Sequence, residues 1–239
     1  MNNWLIAECD GKESIKAILD FLLQSFMEIF GAETMGTEIC IVFNDINADC
    51  PMLITSTNPL CIRLAQETPK AWAQTIYQLS HEMCHYVIRQ HKSDKAFSLK
   101  WFEEISCEAA SLYFLQYAAM NWKDCRLSVT DPMYAIHIAA YLNNCLSKPS
   151  KDAFQKCDTV EKLKANELLM EEDRSGHWAE RNRIYKAISD APLELKVVCE
   201  YMNYMNENGI TIDFDRWIQN QNCKLLYAFK DVMPVKTIE

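Results

Sequence analysis

The segment His81-Glu82-Met83-Cys84-His85 constrains this chain more than any other stretch of its sequence. It lies within a helical pattern of apolar residues, and four helical residues turn the chain by about 400°. His81 and His85 therefore project from one face of a helix, with Glu82 about 100° further round. Two imidazoles at this spacing can bind one metal ion beside an unligated carboxylate. The sequence thus predicts a helix that lines a metal-binding cleft.

A second predicted helix follows and carries acidic residues on one face. Glu104 and Glu108 are one turn apart, and 18 residues separate His85 from Glu104. A chance HExxH motif has no reason to be followed by a helix with carboxylates at positions i and i+4. Catalytic zinc is commonly held by three protein ligands, which leaves a fourth position for water. A third protein ligand would therefore complete such a site.

This pattern resembles the gluzincin metallopeptidases, and the 18-residue gap is the one used by the M1 aminopeptidase family. The resemblance covers roughly residues 65–114. It implies a Zn²⁺ ion held by His81, His85 and Glu104, with Glu82 taking a proton from the water and passing it to the leaving amine. It also implies that Glu108 hydrogen-bonds a ligating histidine and fixes its orientation.

The chain departs from that family around the third ligand. It has Glu103-Glu104-Ile105 where such aminopeptidases have Asn-Glu-Gly, which leaves both glutamates open as the ligand, although the spacing favours Glu104. A Gly-x-Met-Glu-Asn segment that captures a free amino terminus is not found upstream. Aminopeptidase specificity is therefore not expected.

A zinc hydrolase also needs a group that stabilises the oxyanion of the tetrahedral intermediate. Gluzincins typically use a His or Tyr from the helical lobe that faces the metal. His177, Arg181 and Tyr185 follow one another at one-turn spacing, and His177 and Tyr185 are the predicted catalytic pair. The alternative is a surface histidine, a solvated arginine and a core tyrosine.

The order of predicted elements gives an α+β fold of zincin-like type, with a small mixed N-terminal sheet followed by a mostly helical lobe. Strands are predicted at 37–43, 52–55 and 60–64, the last as the edge that lines the cleft or as an ordinary internal strand. Helices are predicted at 13–30, 68–90, 99–121, 131–146, 159–170, 175–189, 193–208 and 214–221. The expected division is an α/β lobe over 1–95 and a helical lobe over 96–239, together forming one catalytic unit.

Composition excludes several classes of function. A net charge of −9 argues against nucleic acid as a partner, because phosphate binding needs a concentrated basic face. The sequence has neither a secretory signal pattern nor a long apolar run, so a cytoplasmic protein without membrane association is expected. Eleven cysteines without a CxxC pair are expected to be mostly buried, reduced thiols.

The leading hypothesis is a zinc metallopeptidase that acts on a peptide or protein substrate. A second hypothesis is a zincin-fold module that binds or regulates without cleaving. The presence of Glu82 argues against it, because a degenerate site commonly loses that carboxylate first. A third is a helical interaction domain in which the motif is coincidental.

Overall fold

The computed structural model describes residues 3–149, 154–170 and 177–233 of the 239-residue chain. Within these residues the strands are β1 (Trp4–Ile6), β2 (Cys40–Asn44), β3 (Met52–Ile54) and β4 (Leu60–Leu64). The α-helices are α1 (Lys12–Phe30), α2 (Ala32–Met35), α3 (Trp72–His91), α4 (Lys100–Asn121), α5 (Ala135–Leu146), α6 (Val160–Leu169), α7 (Trp178–Asp190), α8 (Phe214–Asn220) and α9 (Lys224–Val232). The result is a mostly helical mixed α/β fold with a small sheet. The predicted combination of a small mixed sheet with many helices is thus confirmed.

The sheet has the strand order β1-β2-β4-β3. β1 and β4 pair with β2 in parallel, and β3 pairs with β4 in the antiparallel sense, with Leu53 opposite Ile62. The interpretation of Leu60–Leu64 as an edge strand is therefore wrong, because β4 is hydrogen-bonded on both sides. The edge strand beside the motif helix is β3. β1 was not predicted from the sequence.

α1 supplies the largest apolar face of the N-terminal half. Ile15, Ile18, Leu22 and Phe26 recur at helical spacing and are almost fully buried. Gly31 ends the helix with a φ of 90°, a conformation that favours glycine, and its N–H donates to Met27 O at 3.0 Å. α1 packs on α3 and on the C-terminal half of the chain.

α3 and α4 form the central helical pair and carry the predicted site. α3 begins at Trp72 rather than at Thr68, because residues 68–71 form a turn in which Ala71 N–H donates to Thr68 O at 3.2 Å. At the start of α4, the N–H groups of Lys100 and Trp101 donate to the two carboxylate oxygens of Glu167, at 2.6 and 2.7 Å. A residue from α6 thus satisfies two of the free donors that every helix start leaves.

The segment predicted as a helix at 193–208 is a 3₁₀ helix, Pro192–Tyr204. Its buried residues Leu195, Val198, Tyr201 and Tyr204 lie three apart, which is the spacing that a 3₁₀ helix places on one face. α9 was not predicted, although Leu225, Leu226, Phe229 and Val232 are buried at helical spacing. The predicted helix start at Ser175 lies outside the described residues, and α7 is described from Trp178.

One hydrophobic core unites side chains from both sides of residue 95, from Trp4 to Met233. α4, at its centre, packs against α3, α5 and α7. Among the described helices, none combines the length and the apolar character that crossing a bilayer requires.

Candidate metal centre

The predicted site lies in a cleft of about 460 Å³. β3 and the residues before it form one wall, the exposed face of α3 forms the floor, and residues 95–104 form the other wall. His81, Glu82, His85 and Glu104 all line this cleft. Helical spacing places the two histidines there, and the tight packing of α4 on α3 brings Glu104 to them.

Three side chains converge at the floor of the cleft. His81 Nε2 lies 3.1 Å from His85 Nε2, His81 Nε2 lies 3.3 Å from Glu104 Oε2, and His85 Nε2 lies 3.5 Å from Glu104 Oε1. Zinc bonds of about 2.0–2.1 Å at tetrahedral angles separate neighbouring ligand atoms by about 3.3 Å. Two imidazoles and a carboxylate at this spacing have room for one zinc ion, and these three residues are a group that could hold a metal ion in the part of the chain that the structure describes.

The charges around these residues are strongly coupled. Burial favours the neutral form of His85, but the charge of Glu104, a hydrogen bond to Glu103 and the charge of Glu82 raise the His85 pKa well above its usual value. Burial likewise works to raise the pKa of Glu104, while the two imidazoles hold it well below its usual range. The Glu104 carboxylate is therefore ionised, and a bound cation would take the place of the proton on His85.

Glu82 lies beside the ligand group and is held from β3. Glu82 is 4 % exposed, and its Oε2 accepts a hydrogen bond from Leu53 N–H at 2.7 Å. Leu53 N–H points away from β4, because it belongs to the outer edge of the sheet. One oxygen of Glu82 is thereby fixed, and the other is the candidate proton acceptor.

Glu103 occupies a different position from Glu104, although both residues were open as the third ligand. Its Oε2 lies 3.7 Å from His85 Nδ1, while Oε1 lies 2.5 Å from Lys92 Nζ and accepts a hydrogen bond from Tyr201 at 2.6 Å. Burial works to raise the pKa of Glu103, but His85 and Lys92 lower it below its usual value. Glu103 is therefore a buried carboxylate on the Nδ1 side of the His85 imidazole ring.

Glu108 does not take the position expected from the resemblance. Its Oε2 accepts a hydrogen bond from the Tyr77 hydroxyl and lies 3.4 Å from the Arg181 guanidinium, rather than bonding a histidine. Arg181 is 2 % exposed and also donates to Cys145 O at 2.8 Å, so it is not a solvated arginine. Instead, Glu103 contacts Nδ1 of His85. Glu103 precedes Glu104 by one residue on α4, and one residue of helix rotates a side chain by about 100°, so the two glutamates reach different nitrogens of the His85 ring.

Neither of the two residues predicted to stabilise an oxyanion, His177 and Tyr185, lines this cleft. Tyr185 donates to Gln116 Oε1 at 2.9 Å, and Gln116 is 12 residues beyond Glu104 on α4, about 18 Å along the helix. The prediction of Tyr185 as catalytic is therefore corrected. His177 is buried against Phe154 and lines a water-sized cavity of about 10 Å³ beside Glu104 and Glu108, behind the cleft.

The sequence reasoning missed Lys92, Leu53 and Tyr201 as residues that contact the site. Lys92 follows the motif helix directly and could have been suspected from its position. Leu53 acts through its backbone N–H, and Tyr201 lies 97 residues after Glu104. Neither gives a local signal in the sequence.

No protein-family model, curated protein or solved structure matches this chain.

Proposed function

We propose that this protein is a zinc-dependent metallopeptidase of gluzincin type, with His81, His85 and Glu104 as metal ligands and Glu82 as general base. The observation that carries the proposal is the convergence of two imidazole nitrogens and one carboxylate, with contacts of 3.1–3.5 Å between each pair of residues, in a cleft that Glu82 also lines. Structural zinc sites are commonly closed by four protein ligands, whereas catalytic sites have three and an open position. Three ligands beside a cleft favour catalysis.

The ligand group, Glu82 and Leu53 each have a separate part in the proposed reaction. Zinc bound at this group would lower the pKa of a water and polarise a peptide carbonyl. Glu82 accepts the proton from the attacking water and later delivers it to the nitrogen of the leaving amine. Leu53 N–H holds the Glu82 carboxylate in one orientation during both transfers, since it fixes Oε2.

The shape of the cleft suits a peptide or protein substrate. It is about 460 Å³ in volume, and β3, the edge strand, forms one wall. The outward N–H of Leu53 is taken by Glu82, so an extended peptide would bind through the other backbone groups that this uncovered edge presents. A substrate aligned along β3 would bring a backbone carbonyl over the ligand group.

The proposal is tested by comparing hydrolysis of a fluorogenic peptide mixture by the zinc-loaded wild type, Glu82→Gln and Glu207→Gln. Glu207 is exposed and serves as the matched control for the loss of one carboxylate. We expect equal zinc content in all three proteins, loss of hydrolysis only in Glu82→Gln, and inhibition of the wild type by a chelator. Activity retained in Glu82→Gln would contradict the proposed base. A wild type that binds zinc and cleaves nothing would support a non-catalytic binding module instead.

A further inference from the structure

We propose that Arg89 and Lys95 form a subsite that binds a carboxylate of the substrate, so that the protein prefers peptides with a negative charge on one side of the cleaved bond. The inference rests on the proposed function and adds a substrate class to it. Arg89, Lys92, Lys95 and Lys100 all line the same cleft as the ligand group. The rest of the chain is acidic overall, with a net charge of −9.

Helical spacing places these cations on one side of the ligand group. Arg89 follows His85 by four residues on α3, and Lys100 precedes Glu104 by four on α4. Each therefore lies about one turn from a metal ligand on nearly the same helix face. The end of α3 and the start of α4 are joined by residues 92–99, so both cations lie toward this connection. Lys95 lies within it.

Arg89 and Lys95 share one ion-pair partner. Glu38 contacts both Arg89 and Lys95, each at 2.8 Å, so one carboxylate serves two cations. Lys92 is occupied by Glu103. Asp94, the acidic residue of the connection, accepts a hydrogen bond from Ala96 N–H at 2.9 Å. A second carboxylate can therefore bind beside Arg89 and Lys95 with a net attraction.

Accessibility supports Arg89 and Lys95 as the two residues that meet the substrate. The Lys95 side chain is 40 % exposed and that of Arg89 is 15 % exposed, whereas that of Lys92 is only 5 % exposed. Cations in a cleft with low-dielectric walls attract anions more strongly than cations on an open surface. The subsite thus lies within the cleft and remains open to a ligand.

The distance along the helix sets which substrate position is recognised. One helical turn is about 5.4 Å, and an extended peptide advances about 3.3 Å per residue. The recognised carboxylate should therefore lie about two residues from the cleaved bond, on one side only. Either an Asp or Glu side chain or the carboxyl terminus of a short peptide supplies this group.

The test uses zinc-loaded Glu82→Gln protein, so that binding is measured without cleavage, and fluorescein-labelled peptides with Glu or Gln at each position. Each peptide is made with a free and with an amidated carboxyl terminus, which separates the two sources of the carboxylate. Binding is measured by anisotropy in the Arg89→Gln, Lys95→Gln and Glu38→Gln backgrounds. Lys123→Gln, an exposed lysine near the far end of α4, is the matched control.

We expect the Glu peptide to bind about fivefold more tightly than its Gln counterpart at one position, or the free terminus more tightly than the amide. Arg89→Gln and Lys95→Gln should reduce this ratio toward one, Glu38→Gln should increase it, and Lys123→Gln should leave it unchanged. High salt should lower the ratio. Equal binding of Glu and Gln peptides and of free and amidated termini would overturn the inference, even if the wild type cleaves peptides. If the expected binding ratio is found but the wild type cleaves no peptide, the proposed function is refuted and the carboxylate subsite stands.

Discussion

Glu103 Oε2 lies 3.7 Å from Nδ1 of His85, the ring nitrogen that is not part of the proposed ligand group. Metal-binding histidines usually donate their second ring N–H to an oxygen, which fixes the tautomer and the ring orientation. Glu103 itself is fixed by Lys92 and Tyr201. The neighbouring residue Glu104 contacts Nε2 of the same ring at 3.5 Å. Adjacent glutamates thus hold one imidazole from its two nitrogens.

Replacing Glu103 should weaken zinc binding without removing a ligand. We expect Glu103→Gln to lower zinc affinity about tenfold, because the ring of His85 loses its charged partner. Zinc affinity is measured by competition with a chromophoric chelator. The substitution also leaves Lys92 beside a neutral side chain, so stability should fall as well.

The double variant Lys92→Met with Glu103→Gln separates these two effects. It removes both buried charges, so the free energy of unfolding should recover while zinc affinity stays low. Zinc affinity that returns to the wild-type value together with stability would show that Glu103 acts only through folding.

Leu53→Pro should impair hydrolysis because it removes the N–H that holds Glu82. Proline is tolerated on an edge strand where the N–H points away from the sheet, as that of Leu53 does. We expect kcat to fall by about tenfold or more with zinc content unchanged. Leu53→Ala is the control, because it trims the side chain and keeps the N–H. Equal loss of kcat in both variants would assign the effect to packing.

Tyr185→Phe should leave hydrolysis unaffected. The hydroxyl bonds Gln116 on the part of α4 remote from Glu104, so its removal costs about 1 kcal/mol of stability and no catalysis. Urea unfolding and peptide hydrolysis measure the two effects. A loss of kcat of more than tenfold would instead indicate that Tyr185 acts in catalysis.

The contacts of Glu38 should make stability depend on pH. Burial opposes its ionisation, but hydrogen bonds from Lys95 and Gln90 and the charge of Arg89 lower the Glu38 pKa below its ordinary 4.5. Its contribution is therefore present above pH 4.5 and is lost as the pH falls through the lower folded-state pKa. We expect Glu38→Gln to be less stable than the wild type at pH 7 by about 0.5–1 kcal/mol. The two proteins should converge in urea unfolding as the pH falls well below 4.5, and a constant difference would contradict this.

The elements predicted from the sequence are those whose pattern is local. α1, α3 and α4 have long apolar periods, and their bounds were predicted to within a few residues. The order of strands depends on pairing between distant residues, so no pattern within Leu60–Leu64 could distinguish an internal strand from an edge strand.

The candidate site divides in the same way. His81 and His85 lie together because of helix geometry alone, and Glu104 meets them because α4 packs on α3. The Glu103 side chain is rotated by about 100° from that of Glu104 around the helix. The sequence gives this rotation, but it does not show which of the two side chains faces the proposed metal. Tyr201 and Leu53 reach the site only through tertiary packing.

Zinc content tests the central claim most directly. The metal is measured by mass spectrometry in purified wild-type protein and in Glu104→Ala, beside the matched control Glu207→Ala. We predict about one zinc per chain in the wild type and the control, and little in Glu104→Ala, because two histidines alone bind the ion weakly. One zinc per chain retained in Glu104→Ala would contradict the proposed ligand group.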